Sequence, residues 1–181
     1  MSIGSFHTSD EVRFRSIDTS DLERLRAIAK QTFVQSHGHS ASAHDIETYL
    51  RSALEEEKLL EELSNPESRF FFMKLGDNTV GYSKVVLNQP FEDAPSSAYA
   101  KLERIYLLEE YHGRKLGLRL LEFNIELAKK AGQHGMWLYT WIENQRAIDF
   151  YLRCGFEIIG KYDFRISASH VNPNHQMLLI W

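Results

Sequence analysis

Polar and apolar positions alternate through Glu11-Val12-Arg13-Phe14-Arg15-Ser16-Ile17, the two-residue period of a half-buried strand. Asp18-Thr19-Ser20-Asp21 then supplies capping side chains, and the period changes: Leu22, Leu25, Ile28, Ala29 and Phe33 recur at helical spacing. A second helix is predicted from the Ser42–Asp45 region through Leu63, where Asn65-Pro66 stops it, because proline pushes the preceding residue out of helical backbone. Its centre, Glu55-Glu56-Glu57 and Glu61-Glu62, is read as a solvated acidic face. Arg69 to Leu75 and Thr79 to Leu87 read as strands joined by the turn Gly76-Asp77-Asn78. Pro90 and Pro95 make Gln89 to Ser97 a loop, and Leu102 to Leu107 is strand again.

Beyond it, Leu116, Leu120, Phe123, Leu127 and Ala131 mark a helix whose apolar stripe is widened by Leu121, Ile125 and Ala128, as packing across a sheet requires. Met136 to Trp141 is short, aromatic and continuous, a strand covered on both faces. A helix from Gln145 to Cys154 follows, closed by Gly155 in a left-handed cap, and Phe156 to Lys161 and Gln176 to Trp181 complete the strands. Strand, helix and strand between Leu102 and Trp141 form a βαβ unit. Its right-handed crossover sets the helix start at the carboxyl edge of the sheet, where open sheets bind ligands. With neither repeats nor an interdomain linker, residues 1–181 are expected to form a single domain, its core from about residue 11.

Composition narrows the function classes. Hydrophobic residues make up 43% and charged residues 25%, an ordinary globular balance. The net charge is −4 and lysines and arginines form no basic stripe, which argues against a nucleic-acid partner and favours a cationic substrate. The single cysteine, Cys154, excludes an intrachain disulfide. Met1 to Phe6 lacks the layout of a signal peptide, and no apolar stretch is long enough to cross a membrane, so a cytoplasmic protein is expected.

The segment Tyr111-His112-Gly113-Arg114-Lys115-Leu116-Gly117 lies between a predicted strand and a predicted helix, with glycines at both ends. Glycines admit close backbone approach, and the free N–H groups and dipole of a helix start attract anions, so the segment suits a pyrophosphate. Arg114 and Lys115 add positive charge there. The Gly-Lys-Ser/Thr ending of a P-loop is absent, and so are the three glycines and acidic partner of a dinucleotide site. Taken alone, the segment reads equally as a tight strand-to-helix turn.

Asn144, Ala147, Phe150, Tyr151, Gly155 and Phe156 stand at the spacing Asn-x-x-Ala-x-x-Phe-Tyr-x-x-x-Gly-Phe. With the upstream loop, this resembles the GNAT superfamily of acyl-CoA N-acyltransferases, whose coenzyme loop reads Gln/Arg-x-x-Gly-x-Gly/Ala. Here His112 stands for Gln/Arg and Lys115 where glycine is usual, while Gly117 matches. The resemblance covers the chain from Lys101 onward. It implies an α/β fold with a central mixed, twisted sheet of about seven strands flanked by about four helices. It also implies acetyl-CoA as co-substrate, with no metal. The backbone of Ile105, Tyr106 and Leu107 would pair with the pantetheine arm, and the amides from Gly113 through Arg114, Lys115, Leu116 and Gly117 to Leu118 would hold the pyrophosphate. Asn144 would bond the coenzyme arm, and Arg153 either reaches the coenzyme or makes a surface salt bridge.

Acetyl transfer to an amine needs a neutral nitrogen, a donor for the oxyanion and a proton for the departing thiolate. By the resemblance, Tyr151 is the candidate acid, the alternative being a core tyrosine. Glu103 is the candidate base. Strand alternation would set it on one face with Ile105 and Leu107, where apolar neighbours raise a carboxylate's pKa. The alternative is a rim carboxylate paired with Lys101 or Arg104.

His37, His39 and His44 complete no metal spacing, Cys154 reads as a small buried hydrophobe, and Trp137 and Trp141 read as core. The stretches from Thr32-Phe33 to Leu50, Glu103 to Tyr106, and Trp137 to Asn144 resemble the bacterial spermidine/spermine N-acetyltransferase branch. That implies a polyamine acceptor, with Glu47 and Glu55 as candidate contacts. Other small amines, amino acids, a protein N-terminus or an antibiotic are alternative acceptors; a non-catalytic acyl-CoA-binding module or a nucleotide switch are alternative functions. A homodimer is expected, with the apolar C-terminal strand from Leu178 to Trp181 as a pairing edge.

Overall fold

A computed structural model describes residues 11–181, so the reading of Met1 to Phe6 lies outside the described residues. The elements run β1 (Val12–Ser16), α1 (Leu22–His37), α2 (Ala43–Ala53), α3 (Glu56–Ser64), β2 (Ser68–Leu75), β3 (Asn78–Val86), β4 (Ala100–Leu107), α4 (Leu116–Lys130), β5 (Gly135–Trp141), α5 (Gln145–Arg153), β6 (Glu157–Arg165) and β7 (Val171–Ile180). The seven strands form one sheet in the order β1-β2-β3-β4-β5-β7-β6. All neighbours are antiparallel except β4 and β5, the pair bridged by α4.

Each helix buries the stripe the sequence gives it. Leu22, Leu25, Ile28 and Ala29 of α1 and Leu59 of α3 pack on Phe70, Phe72 and Tyr82 on one face of the sheet. Leu121 and Ala128 of α4 and Tyr151 of α5 pack on Val85, Leu102, Met136 and Leu138 on the opposite face. Two helix layers therefore sandwich the sheet, and whatever lies between β4 and β5 is reached from either side.

The structure corrects three expectations. The second helix is two, giving five helices: Glu55 is extended (φ −59°, ψ 138°) and separates α2 from α3. The reason is that their apolar stripes have different targets. Ile46 and Leu50 pack with Phe33 and Ile166, whereas Leu59 packs on the sheet face with Phe70 and Phe72, and one straight helix cannot aim at both. The last strands are longer than the pattern implies, β6 running to Arg165 and β7 starting at Val171. Pro173 is tolerated in β7 because it lies just past the β5 ladder, which ends at Trp141 opposite Asn174. Finally, β7 is no edge: it is paired to β5 on one side and β6 on the other, so Leu178 is already satisfied within the sheet.

Candidate active site

The site begins with a parting of strands. β4 pairs with β3 from Val86↔Lys101 to Gly81↔Leu107, but with β5 only at Ala100↔Met136 and Lys101↔Trp137. From Leu102 onward the β5-facing edge of β4 has no partner strand among the described residues, the geometry that accepts an extended ligand by strand addition. Ile105, Tyr106 and Leu107 lie on that stretch. Gly81 helps to hold it, since a side chain there would meet Tyr106 O at 2.4 Å.

A β-bulge re-aims Glu103. Lys84 pairs with Arg104 and Val85 with Leu102, which leaves Glu103 as the extra residue on β4. The expected face shared by Glu103, Ile105 and Leu107 therefore does not form. Ile105 and Leu107 pack with Leu116 and Leu120 of α4, while the Glu103 carboxylate meets buried Lys84 (Nζ–Oε1 2.6 Å) on the α3 side. Lys84 also pairs with Glu62 at 3.1 Å, Glu62 takes Arg104 at 2.9 Å, and Lys101 lies 3.7 Å from Glu103. Burial pushes the Glu103 carboxyl up, but Lys84, Arg104 and Lys101 together draw it below its ordinary value. The raised pKa expected among apolar neighbours is overturned by these cations.

At the far end of β4 the chain forms a one-turn helix (Glu109–Tyr111) and then a loop into α4. Gly113 (φ 80°) and Lys115 (φ 59°) are both left-handed, which turns the backbone so that α4 begins at Leu116. Among the described residues the N–H groups of residues 113–118 have no backbone acceptor, whereas Arg119 N already bonds Lys115 O at 3.3 Å. A side chain at Gly117 would meet only Leu107 Cδ1, at 3.7 Å, so the protein itself does not require glycine there. Six unpaired donors at a helix start, with space above Gly117, fit a diphosphate approaching the backbone. The cradle and the open β4 edge thus fit the two parts of coenzyme A.

His112 stands apart from this cradle. Its ring is engaged on both sides: Nε2 lies 3.2 Å from Leu107 O, and Nδ1 lies 3.1 Å from Arg146 Nη1. Arg146 can only donate, so Nδ1 accepts and Nε2–H donates to the carbonyl. His112 thereby ties β4 to α5 and holds Arg146 beside the loop. Sequence reasoning missed Arg146, because no local signal links it to a histidine 34 positions away.

On α5, Asn144 is the N-cap: its side-chain oxygen accepts from Ala147 N at 3.1 Å. Its role is capping, and only its amide nitrogen is left for another partner. At the other end, Phe156 N bonds Tyr151 O and Gly155 N bonds Leu152 O, both at 3.0 Å, with Gly155 at φ 90°. This Schellman closure pins the turn carrying Tyr151. The Tyr151 ring packs edge-on to Phe150 and Phe156, and its hydroxyl has no hydrogen-bond partner among the described residues. Burial, then nearby Cys154, pushes the phenol well above its ordinary pKa, so it holds its proton. Arg153 is exposed. Cys154 caps α5, and burial pushes its thiol up, which suits a packing role.

On the α1 side of the sheet, opposite the face that holds Tyr151, is an aromatic cluster. Phe33 stacks on His37 (4.9 Å) and Tyr49 (4.8 Å), and Tyr49 meets Phe164 edge-on at 5.6 Å. His37 contacts Tyr106 of β4 at 6.2 Å and Trp141 of β5 at 6.1 Å, and His39 leans on Trp141 at 5.3 Å. Trp141 and Trp137 are both buried as read from sequence, Trp141 within this cluster and Trp137 with its indole bonding Gln89 O at 2.7 Å. Glu47 is exposed and paired with Arg51, and Glu55 is exposed at the α2–α3 break. Among the described residues no group of three His, Cys, Asp or Glu gathers as a metal site.

An open βαβ gap with an anion cradle at its mouth defines an acyl-CoA transferase architecture, and the comparisons agree. The family model described as acetyltransferase (GNAT) family matches residues 22–156, and the chain belongs to that family: it is an acetyl-CoA-dependent N-acetyltransferase. An uncharacterised N-acetyltransferase of Lactobacillus delbrueckii subsp. lactis is 29% identical over 153 residues, covering 84% of this chain and 88% of its own. A spermidine N(1)-acetyltransferase of Thermoplasma acidophilum is 29% identical, covering 81% of this chain and 89% of its own. Among solved structures, PaiA N-acetyltransferase of Thermoplasma acidophilum in complex with coenzyme A aligns with TM-score 0.75 and 25% identity, covering 94% of this chain and 99% of that one. The mixed seven-stranded sheet with its helices is therefore the GNAT fold.

Proposed function

We propose that the chain transfers acetyl from acetyl-CoA to a polyamine such as spermidine or spermine, by direct attack of the amine on the thioester in the gap between β4 and β5. The observation that carries the reading is the parting of those strands after Lys101↔Trp137, with six unpaired N–H groups at the start of α4 beyond it. The backbone of Ile105, Tyr106 and Leu107 holds the pantetheine arm, and the amides from Gly113 to Leu118 hold the pyrophosphate, aided by Arg114, Lys115 and Arg146. Bound acetyl-CoA supplies the activated acetyl group. Tyr151 holds a proton on the α5 side for the departing sulfur. Glu103, ionised in its cation cluster, acts through water by drawing protons from the entering ammonium.

Polyamine recognition is supported by the 29% identical spermidine acetyltransferase and by the net charge of −4. Glu47 and Glu55 face solvent, and the aromatic cluster of Phe33, Tyr49, Tyr106 and Trp141 lies beside the gap. A cation is received there by ring faces, each contact contributing about 0.5–2 kcal/mol. The same rings support a second reading, an amine with an apolar or aromatic body. Thiol release measured with spermidine, spermine, putrescine, phenethylamine, amino acids and a peptide N-terminus at two salt concentrations separates them. Spermidine or spermine turnover that weakens at high salt is expected. Inert polyamines beside rapid phenethylamine turnover would end the polyamine reading and keep the acetyltransferase.

A further inference from the structure

His37 ends α1 directly over the parted strands. Its ring spans Tyr106, which lies beyond the last β4–β5 pair, and Trp141, the last residue of β5. It therefore sits on the side of the gap opposite α5, where Tyr151 is buried. The two sides are close enough that Tyr151 is among the neighbours opposing ionisation of the Tyr106 hydroxyl, after burial, Tyr82 and Tyr49.

A proton inventory fixes the state of the imidazole. The Ser36 hydroxyl has one proton, and it donates to Thr32 O at 2.9 Å, with Phe33 O at 3.3 Å sharing it. The 2.7 Å contact between Ser36 Oγ and His37 Nδ1 must then carry the imidazole's proton. That leaves Nε2 with a free lone pair, and no hydrogen-bond partner for it is found among the described residues. Burial, then His39, pushes the ring down to about 4, so it is neutral at pH 7. The other polar groups packed around the imidazole do not supply it with a charge. Tyr49 of α2 and Tyr106 of β4 keep their protons, and Glu62 of α3 with Glu103 and Arg104 of β4 satisfy one another and Lys84.

We propose that Nε2 of His37 is the proton acceptor for the acceptor amine. As the amine nitrogen bonds to the acetyl carbon, the carbonyl electron pair moves onto oxygen and the nitrogen becomes cationic. Nε2 takes one N–H proton, giving an imidazolium held by Ser36. When the oxygen pair returns and the carbon–sulfur bond breaks, Tyr151 protonates the sulfur; both side chains then recover their starting states by exchange with water. A neutral imidazole suits this step because its free lone pair can take the proton that the newly cationic nitrogen must lose after Glu103 has delivered the amine in its neutral form.

This assignment rests on acetyl transfer at the gap, and the two fail differently. Three enzymes are compared: wild type, His37→Phe, which keeps the stacking on Phe33, and His37→Gln as a second variant should the first fold poorly. For both variants, amine-dependent thiol release should fall at least about 100-fold, the scale of a lost general base. Acetyl-CoA affinity by calorimetry should stay unchanged. Added imidazole should restore turnover to a fourth enzyme, His37→Ala, whose side chain leaves room for it, with rescue following the neutral form of imidazole as pH rises. Nitrogen NMR of the free protein should show the proton on Nδ1 and titration well below pH 6. Variant turnover close to wild type, no imidazole rescue, or a proton on Nε2 would overturn the role of His37 while leaving the acetyltransferase intact. A wild type that releases no thiol with any amine would overturn both.

Discussion

Three residues show how much of this site is set by surroundings rather than by residue type. Tyr151 has a buried ring and a hydroxyl without a protein partner, so removing the oxygen breaks no bond in the resting fold. Tyr151→Phe should therefore keep thermal stability and acetyl-CoA affinity, while turnover falls by about 10²-fold or more; unchanged turnover in a thiol-release assay would remove its acid role. His37 titrates at about 4 when folded, against 6.5 for the exposed side chain. Because the folded value is the lower one, the unfolded state binds the extra proton. Stability is then full above pH 6.5 and falls as pH drops toward 4, by about 3 kcal/mol at most. Urea unfolding at pH 7 and pH 4.5 should show this loss in wild type and a smaller one in His37→Gln. Lys115 occupies left-handed backbone that strains a residue with a Cβ. Lys115→Gly should raise stability by about 1 kcal/mol and, by removing a cation from the cradle, make acetyl-CoA affinity less sensitive to salt. A lower melting temperature would contradict the strain argument.

At the scale of elements, the bulge on β4 and the cluster of Lys84, Glu62, Glu103 and Arg104 form one device. The bulge turns Glu103 to the α3 face, and the charges clamp α3 to the sheet across β3 and β4. Lys84 is 4% exposed and serves two carboxylates, so its loss leaves Glu62 to Arg104 alone and Glu103 to the more distant Lys101 and Arg104. Lys84→Met should cost about 3 kcal/mol in urea unfolding. It should also raise the Glu103 pKa, moving the acid limb of the turnover profile upward. Adding Glu103→Gln should recover part of the stability. Equal stability of Lys84→Met and wild type would show that the cluster gains nothing over water. α5 is positioned by its ends, an asparagine cap and a glycine closure, which fix Tyr151 independently of the sheet beyond it.

For the molecule as a whole, function depends on the sheet failing to close. β1, β2, β3 and β4 form one antiparallel block and β5, β7 and β6 another, joined at two residue pairs and by the packing of α4. Backbone N–H groups without partners exchange with solvent freely. Hydrogen exchange should accordingly be fast for residues 113–118 and for those amides of residues 102–107 that face β5 rather than β3, relative to β3 and β5, and should slow on adding acetyl-CoA. A ligand at 100 times its Kd should add about 2.7 kcal/mol to stability. Protection elsewhere with no change in these two segments would displace the coenzyme from the gap.

The chain's own pattern determined the order of elements, the two turns closed by Gly76 and Gly155, the anion loop and the Asn144-to-Phe156 signature. These are local: each depends on side-chain period, a cap or a positive φ within a few residues. Only the tertiary structure decided which face Glu103 takes, because a bulge depends on the register of β3 against β4. It also decided that Lys84, Glu62 and Arg146 belong to the site, that β7 is interior, and that the helix carrying Glu55 breaks. His37 is the sharpest case. Its spacing from His39 and His44 says nothing about two strands parting beneath it; burial, a tautomer set by Ser36 and the width of the gap give that imidazole its place.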